Sequence, residues 1–306
     1  MASKVKKLYF NPRLTGAFTG LKNFSSQRKI NKNEAKKELE KLKEYYLYKP
    51  ARKNFKRRPI VVHFPNYQIA FDLMDKQKYA KENRGYKYIL IVIDCFTKYV
   101  YVEALKSKSA DVVIKGFEKI FKRMKKLPKY ATADAGKEWM NKKFFKFMEK
   151  NKIVFFNTYS SIKASQAERF IRTLQTRLAR YFEKTSKHKY IDILQQIVSA
   201  YNKSKHSSTK FRPIDVNESN QGQVWQNLYG KYLKQKQQTT KLKVGDIVRI
   251  SKYKLIFEKG YTPNWSVETF RIARIQEAKP FLVYHLDDMN GEPIIGSFYE
   301  YELMKA

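Results

Sequence analysis

Apolar side chains recur at three- and four-residue steps along residues 159–182: Ala167, Phe170, Ile171, Leu174, Leu178, Tyr181 and Phe182. That spacing draws one apolar stripe down a helix. Glu168 lies beside the stripe, and Arg172 and Gln175 follow at i+4 and i+7 on its own face. Upstream the period changes. Residues 69–73, 86–94 and 99–103 are strand-length runs rich in Ile, Val, Leu, Tyr and Phe, the last two joined by the turn Cys95-Phe96-Thr97-Lys98. Helical spacing returns at 110–124 through Val113, Phe117, Ile120 and Phe121. A strand at 130–134, a helix across 144–148, a strand at 153–156 and a helix at 190–201 complete the pattern. Three meandering strands followed by alternating helices and strands predict an α/β core, a mixed sheet with flanking helices.

The flanks have a different texture. Residues 1–60 are strongly basic, with Asn33 placed to cap a helix running from Glu34 to about Tyr48 and an apolar seam of Ala35, Leu39, Leu42 and Tyr46. Arg52, Lys53, Lys56, Arg57 and Arg58 then crowd around Phe55. This reads either as a solvated linker or as an arm that lies along phosphates. Beyond a core assigned to 61–215, residues 216–238 predict a helix with Trp225 and Tyr229 that fades into the polar run Lys234-Gln235-Lys236-Gln237-Gln238, so 216–241 is read as helix and linker. Gly260, Pro263, Pro280 and Asn290-Gly291 punctuate the segment 242–306, which predicts five short strands and a small SH3-like β-barrel. Barrels of this kind bind proteins, bind nucleic acid or serve structure alone. Lys252, Tyr253, Lys254 and Trp265 leave a nucleic-acid or chromatin contact open.

Composition narrows the partners. Hydrophobic residues make up 42% of the 306 residues, enough for a core, while 64 Lys and Arg against 28 Asp and Glu leave a net charge of +36. A polyanion such as DNA or RNA answers that charge, and a Lys-rich surface without a partner is the alternative. The single cysteine, Cys95, excludes an intramolecular disulfide and a cysteine zinc cage. With no apolar run near membrane-spanning length and no signal-peptide core, the chain is expected to be soluble and intracellular.

Asp72 ends the run Gln68-Ile69-Ala70-Phe71-Asp72, and Asp134 ends Tyr130-Ala131-Thr132-Ala133-Asp134. Two strand-terminal aspartates and a helix glutamate can bring three hard oxygen ligands to one sheet edge, a set suited to Mg²⁺ or Mn²⁺. Phe71-Asp72-Leu73, Ala133-Asp134-Ala135-Gly136 and Lys163-Ala164-Ser165-Gln166-Ala167-Glu168-Arg169-Phe170 resemble the D,D,E acid motif of retroviral-type integrases. The nearest resemblance is to integrases of Maverick/Polinton elements and related virophages. It extends to Tyr9-Phe10-Asn11-Pro12 and Tyr48-Lys49-Pro50-Ala51-Arg52 near the start, and to Phe257–Trp265 and Gly291–Glu300 near the end. With 33 residues between Asp134 and Glu168, the gap is slightly shorter than the family's usual one. Retroviral relatives fold their amino-terminal domain around zinc held by His and Cys; residues 1–60 contain neither, so no zinc site carries over.

The resemblance implies an RNase H-like core and an enzyme, a DNA integrase, that holds two Mg²⁺ ions. Asp72 would bridge both ions, with Asp134 on one and Glu168 on the other. Water would trim a 3′ end, and the freed hydroxyl would join it to target DNA. The resemblance also implies double-stranded DNA and further copies of the chain as partners, and action in a host nucleus or a viral particle. Arg172 and Gln175 occupy family positions that reach the element's DNA end, with Lys163 and Arg169 beside them; an ordinary solvated helix face is the alternative. Asp75 and Asp94 are rival acids, Glu138 reads as a surface residue, and His63, His188, His206 and His285 lack ligand spacing. A nuclease of the same fold that cuts without joining, and a DNA-binding protein without activity, are the competing readings.

Overall fold

The computed structural model describes residues 2–52, 55–134, 136, 138–157, 165–252, 262–278 and 280–306. Lys53, Ala135, Lys163, Tyr253 and Lys254 lie outside the described residues. The chain divides into two compact units. One joins Met1–Arg58 to Gln235–Ala306, and the other is Pro59–Lys234.

In the first unit, α1 (Ala2–Tyr9), α2 (Leu21–Arg28), α3 (Lys32–Leu39) and α4 (Lys43–Tyr46) enclose a small core of Val5, Tyr9, Phe24, Ala35, Leu39 and Tyr45. The cap of α3 is Asn31 and not Asn33: its side-chain oxygen accepts from the backbone N–H groups of Asn33 (2.9 Å) and Glu34. The single helix expected from 34 to 48 is broken between α3 and α4, with Leu42 extended. The break lets Tyr45 meet Tyr9 edge-on at 5.9 Å, a tertiary contact that outweighs local helical continuity.

The second unit is built on a five-stranded sheet. Its elements in chain order are β1 (Gln68–Asp75), β2 (Tyr88–Asp94), β3 (Val100–Leu105), α5 (Ala110–Arg123), β4 (Tyr130–Ala133), α6 (Lys142–Lys150), β5 (Val154–Asn157), α7 (Ser165–Thr185), α8 (Leu194–Asn202) and α9 (Gln221–Leu233). The strand order is β3-β2-β1-β4-β5. β1 pairs antiparallel with β2 and parallel with β4, and β4 pairs parallel with β5. Period-two alternation sends neighbouring side chains to opposite cores. Ala70, Met74, Ile89, Ile91 and Ile93 pack with Ala167, Phe170, Leu174 and Leu178 of α7, and Val198 and Val224 of α8 and α9 join them. Ile69, Phe71, Leu90 and Val92 pack on the other face with Phe117 of α5 and Phe144 of α6. Gly116 permits that second contact, since an added Cβ would lie 2.8 Å from a methyl carbon of Leu105.

Asn202 fixes the outer strand. Its buried amide accepts from Val100 N–H at 2.9 Å and donates to Val100 C=O at 2.9 Å, supplying what a further strand would. Asn202→Asp keeps the shape but can no longer donate, so a carboxylate faces a carbonyl in a dry site. A loss of about 2 kcal/mol or more is expected, read as a shift in the urea midpoint.

The final segment returns to the first unit. β6 (Ile247–Ile250), β7 (Phe270–Ala278), β8 (Phe281–Asp287) and β9 (Leu303–Lys305) form an antiparallel sheet in the order β8-β7-β6-β9. Four strands stand among the described residues where five were expected, and 253–261 lie outside them. This sheet grips the amino-terminal region. The Trp265 indole N–H donates to Lys49 C=O at 2.8 Å, Asn264 N–H to Leu47 C=O at 2.6 Å, and the Arg249 guanidinium covers the Tyr46 ring at 4.1 Å.

Candidate active site

The site follows from strand parity. Asp72 shares a face of β1 with Ala70 and Met74, whose side chains pack beneath α7, while Phe71 and Ile69 point the other way. β1 and β4 run parallel in the register 68 with 130, 69 with 131 and 70 with 132. Two residues further along, that register sets Asp72 across from Asp134, at the point where β4 ends and β1 continues with β2 alone. The parting of the two strands leaves both aspartates beside an opening.

α7 supplies the third acid. Ala167 and Phe170 are buried against the sheet and draw the first turn down, while Glu168 between them is exposed. Arg169, Arg172 and Gln175 are exposed on the same side of the helix. A fourth carboxylate joins. Glu138 folds over Gly136, its carboxyl carbon 2.8 Å from where a Cβ of residue 136 would stand. Trp139, fully buried and 4.7 Å from Phe71 ring to ring, pins the loop that carries Glu138.

The electrostatics bear on all four acids. Burial, the largest cause, pushes the Asp72 carboxyl up to about 6; the Leu73 N–H opposes this, and the negative charges of Asp134, Glu168 and Glu138 add to it. A carboxylate held among like charges in a partly dry edge is a hard-oxygen donor. A divalent cation fits that chemistry. Among the described residues, no three acidic, imidazole or thiol groups stand at ligating spacing.

The rival acids are engaged elsewhere. Asp75 has the opposite strand parity to Asp72 and accepts from Gln77 N–H and Gln77 Nε2, both at 2.8 Å. Asp94 is buried and closes the β2–β3 turn, accepting from Phe96 N–H, Thr97 N–H and the Thr97 hydroxyl (2.6 Å). His188 stacks on Tyr79 at 4.5 Å, and His285 meets Gln276. Burial, then Lys98 and Arg169, push the His206 imidazole down to about 4, which keeps it neutral.

The basic arm belongs to the other unit. Arg57 pairs with Glu302 at 3.0 Å and covers the Phe55 ring, and Arg52 lies 4.3 Å over Tyr301. Lys56 and Arg58 are exposed, and Arg58 donates its backbone N–H to the Tyr299 hydroxyl. Glu138, whose charge reaches Asp72, and Lys98, which bonds Gln166 in the first turn of α7, are residues that the sequence pattern left out of the site. Gly136, which gives the Glu138 carboxylate room, was the one local signal for the former.

Residues 63–158 match the integrase core domain family model (rve). A transposon-derived protein of Caenorhabditis elegans is 32% identical over 193 residues, which cover 63% of this chain. The chain spans 65% of that relative, just under two thirds of its length. A chain in the structure of the simian T-cell lymphotropic virus intasome with PP2A regulatory subunit B56 gamma superposes with a TM-score of 0.59 at 14% identity, over 94% of this chain and 95% of that one. The HTLV-2 integrase catalytic core domain solved with magnesium aligns at a TM-score of 0.42 and 15% identity, over 50% of this chain and 97% of that one. The superposition on the intasome chain and the family match over 63–158 give the mixed sheet with flanking helices the RNase H-like fold of an integrase core.

Proposed function

We propose that this protein is a DNA integrase that trims the 3′ ends of an element's DNA and joins them to target DNA. The convergence of Asp72, Asp134 and Glu168 on one edge of a sheet with an integrase-core match carries this reading. The net charge of +36 supports a DNA partner. The transposon-derived relative supports a mobile element; the motif likeness alone suggests the Maverick/Polinton type, acting in a host nucleus or carried in a viral particle. Two DNA ends must be held at once, so several copies of the chain act together.

Asp72, Asp134 and Glu168 would hold Mg²⁺ or Mn²⁺. When bound, such ions supply an activated oxygen nucleophile and a stabilised leaving oxygen. Asp72 lies within β1, paired to β2 opposite Ile91, which would hold its backbone in place. Glu168 presents its carboxylate on a helix whose next turns carry Arg169, Arg172 and Gln175. These exposed side chains would contact the phosphate backbone of DNA brought to the acids. The four-stranded antiparallel sheet, read as an SH3-like barrel, and the basic arm would hold DNA or meet chromatin.

The test is a joining assay with a labelled duplex bearing the element's terminal sequence, a plasmid target, and Mg²⁺, Mn²⁺ or chelator. Metal-dependent joined products that vanish in Glu168→Gln are expected. Cleavage without joining would replace the reading with a nuclease, and binding without either reaction would leave a DNA-binding protein. Arg172→Ala is expected to weaken DNA binding and lower the slope of log K against log salt by about 0.9, one phosphate contact. An unchanged slope would remove Arg172 from the DNA path.

A further inference from the structure

The turn between β2 and β3 holds a lysine where the backbone favours glycine. Lys98 has φ of 66°, in the left-handed region, and its side chain is buried. Both features are costly for this residue type, the first sterically and the second through lost hydration of the ammonium. The turn itself accounts for neither. Asp94 closes it through Phe96 and Thr97, and Lys98 contributes to it with its backbone N–H, donated to Asp94 C=O at 2.9 Å. The Lys98 side chain does something else. Its Nζ donates to Cys95 C=O at 2.6 Å and reaches α7, where it donates to Gln166 Oε1 at 2.8 Å.

Gln166 is in the first turn of α7, two residues before Glu168. Apolar packing fixes the height of that turn through Ala167 and Phe170, yet such packing is not directional. A hydrogen bond from a fixed ammonium to one side-chain oxygen is directional. It holds the turn against rotation about the helix axis, the motion that would swing Glu168 away from Asp72 and Asp134. The left-handed backbone also has a use: it aims Cα–Cβ of residue 98 from the turn toward the helix.

We propose that Lys98 is a positioning residue, which orients Glu168 through the Gln166 amide; the effect on chemistry rests on the integrase reading above. Lys98 bonds the Cys95 carbonyl and the Gln166 amide through its ammonium. It sets where the α7 acid points. Its ammonium is held by neutral oxygens, so it leaves the negative charge of the acid edge available to a cation.

Lys98→Met keeps the length and most of the volume of the stem and removes the donor. Gln166→Met removes the acceptor from the half-buried helix side and leaves the turn intact. In the full chain, hydrogen exchange of α7 over residues 165–172 is expected to quicken about tenfold or more in either variant, while exchange of β2 is unchanged. Joining at saturating DNA is expected to slow about tenfold or more, with the DNA Kd within about twofold, since a misplaced group costs rate and not binding. The double variant should be no slower than Lys98→Met alone, because both changes break one contact. Unaltered exchange in both variants, or losses that multiply, would overturn the proposal. Should Lys98→Met fail to fold, Gln166→Met decides by the same readouts. Wild-type protein that never joins DNA would sink the integrase reading, and the exchange experiment would still decide whether the tether orders α7.

Discussion

Asp72→Asn is expected to cut DNA joining by roughly 10³-fold or more and yet raise the stability of the chain at neutral pH. Both effects come from the same surroundings. The folded Asp72 carboxyl titrates near 6 against an ordinary 3.8, because burial and then Asp134, Glu168 and Glu138 disfavour its charge. An acid whose folded value is raised contributes stability that is complete below the unfolded value and is lost as pH rises through the folded one. The window here is 3.8 to about 6. Above it the folded chain carries a penalty on the order of 2 kcal/mol. Asparagine retains the oxygen that accepts from Leu73 N–H and has no charge to strand. The variant should therefore exceed wild type in urea midpoint at pH 7.5, and the difference should shrink at pH 5. Mg²⁺ should raise the wild-type Tm at pH 7.5 and leave that of the variant nearly unmoved. Equal joining in the two proteins would take Asp72 out of the chemistry. An Asp72→Asn protein less stable than wild type at pH 7.5 would mean that the acid edge is not strained by its own charge.

One residue earlier the expected outcome reverses. Phe71→Ala should cost about 3–5 kcal/mol, a large part of the 5–15 kcal/mol that holds a typical domain together. Phe71 is fully buried, and its ring meets those of Phe117 (5.0 Å), Trp139 (4.7 Å), Phe144 (5.8 Å) and Phe155 (5.6 Å). It joins the sheet to α5, α6 and the loop that carries Glu138, so no neighbour can close the cavity without moving another. Joining would also disappear, but through unfolding. A lowered Tm and a lost near-ultraviolet signal would accompany it, whereas Asp72→Asn keeps both. A Phe71→Ala protein within 1 kcal/mol of wild type would mean that this aromatic cluster repacks freely, contrary to its density of contacts.

Much of this edge could be read from local pattern. The apolar stripe of α7 sets Glu168 outside the core, and alternation along 69–73 separates Asp72 from Phe71. Neither inference needs knowledge of a distant residue. What escaped was non-local or backbone-dependent. The charge of Glu138 says only that it prefers water; the missing Cβ of Gly136, whose place its carboxylate takes, and the burial of Trp139 bring it within reach of Asp72. Lys98 looks like a surface lysine until its left-handed backbone and its reach to Gln166 are known. The helix expected over 34–48 breaks because Tyr45 packs on Tyr9, and no propensity over that stretch encodes such a contact. The attachment of the first 58 residues to the last 72 was equally invisible, since periodicity reports a residue's face and not the partner it will meet.

That attachment bears on how the protein is made. Leu47 and Lys49 are held by Asn264 and Trp265, and Arg57 by Glu302. A ribosome moving at about 5–20 residues per second needs roughly ten to forty seconds to pass from the first set to the second. Within that interval residues 59–234 are made and can close around their own sheet before the last segment follows, while the amino-terminal helices have only their small core to rely on. The nascent chain therefore folds from the middle outwards, and its oldest segment is among the last to be secured. An early stop between residues 235 and 264 would leave a finished acid edge on a chain whose basic arm lacks the segment that holds it.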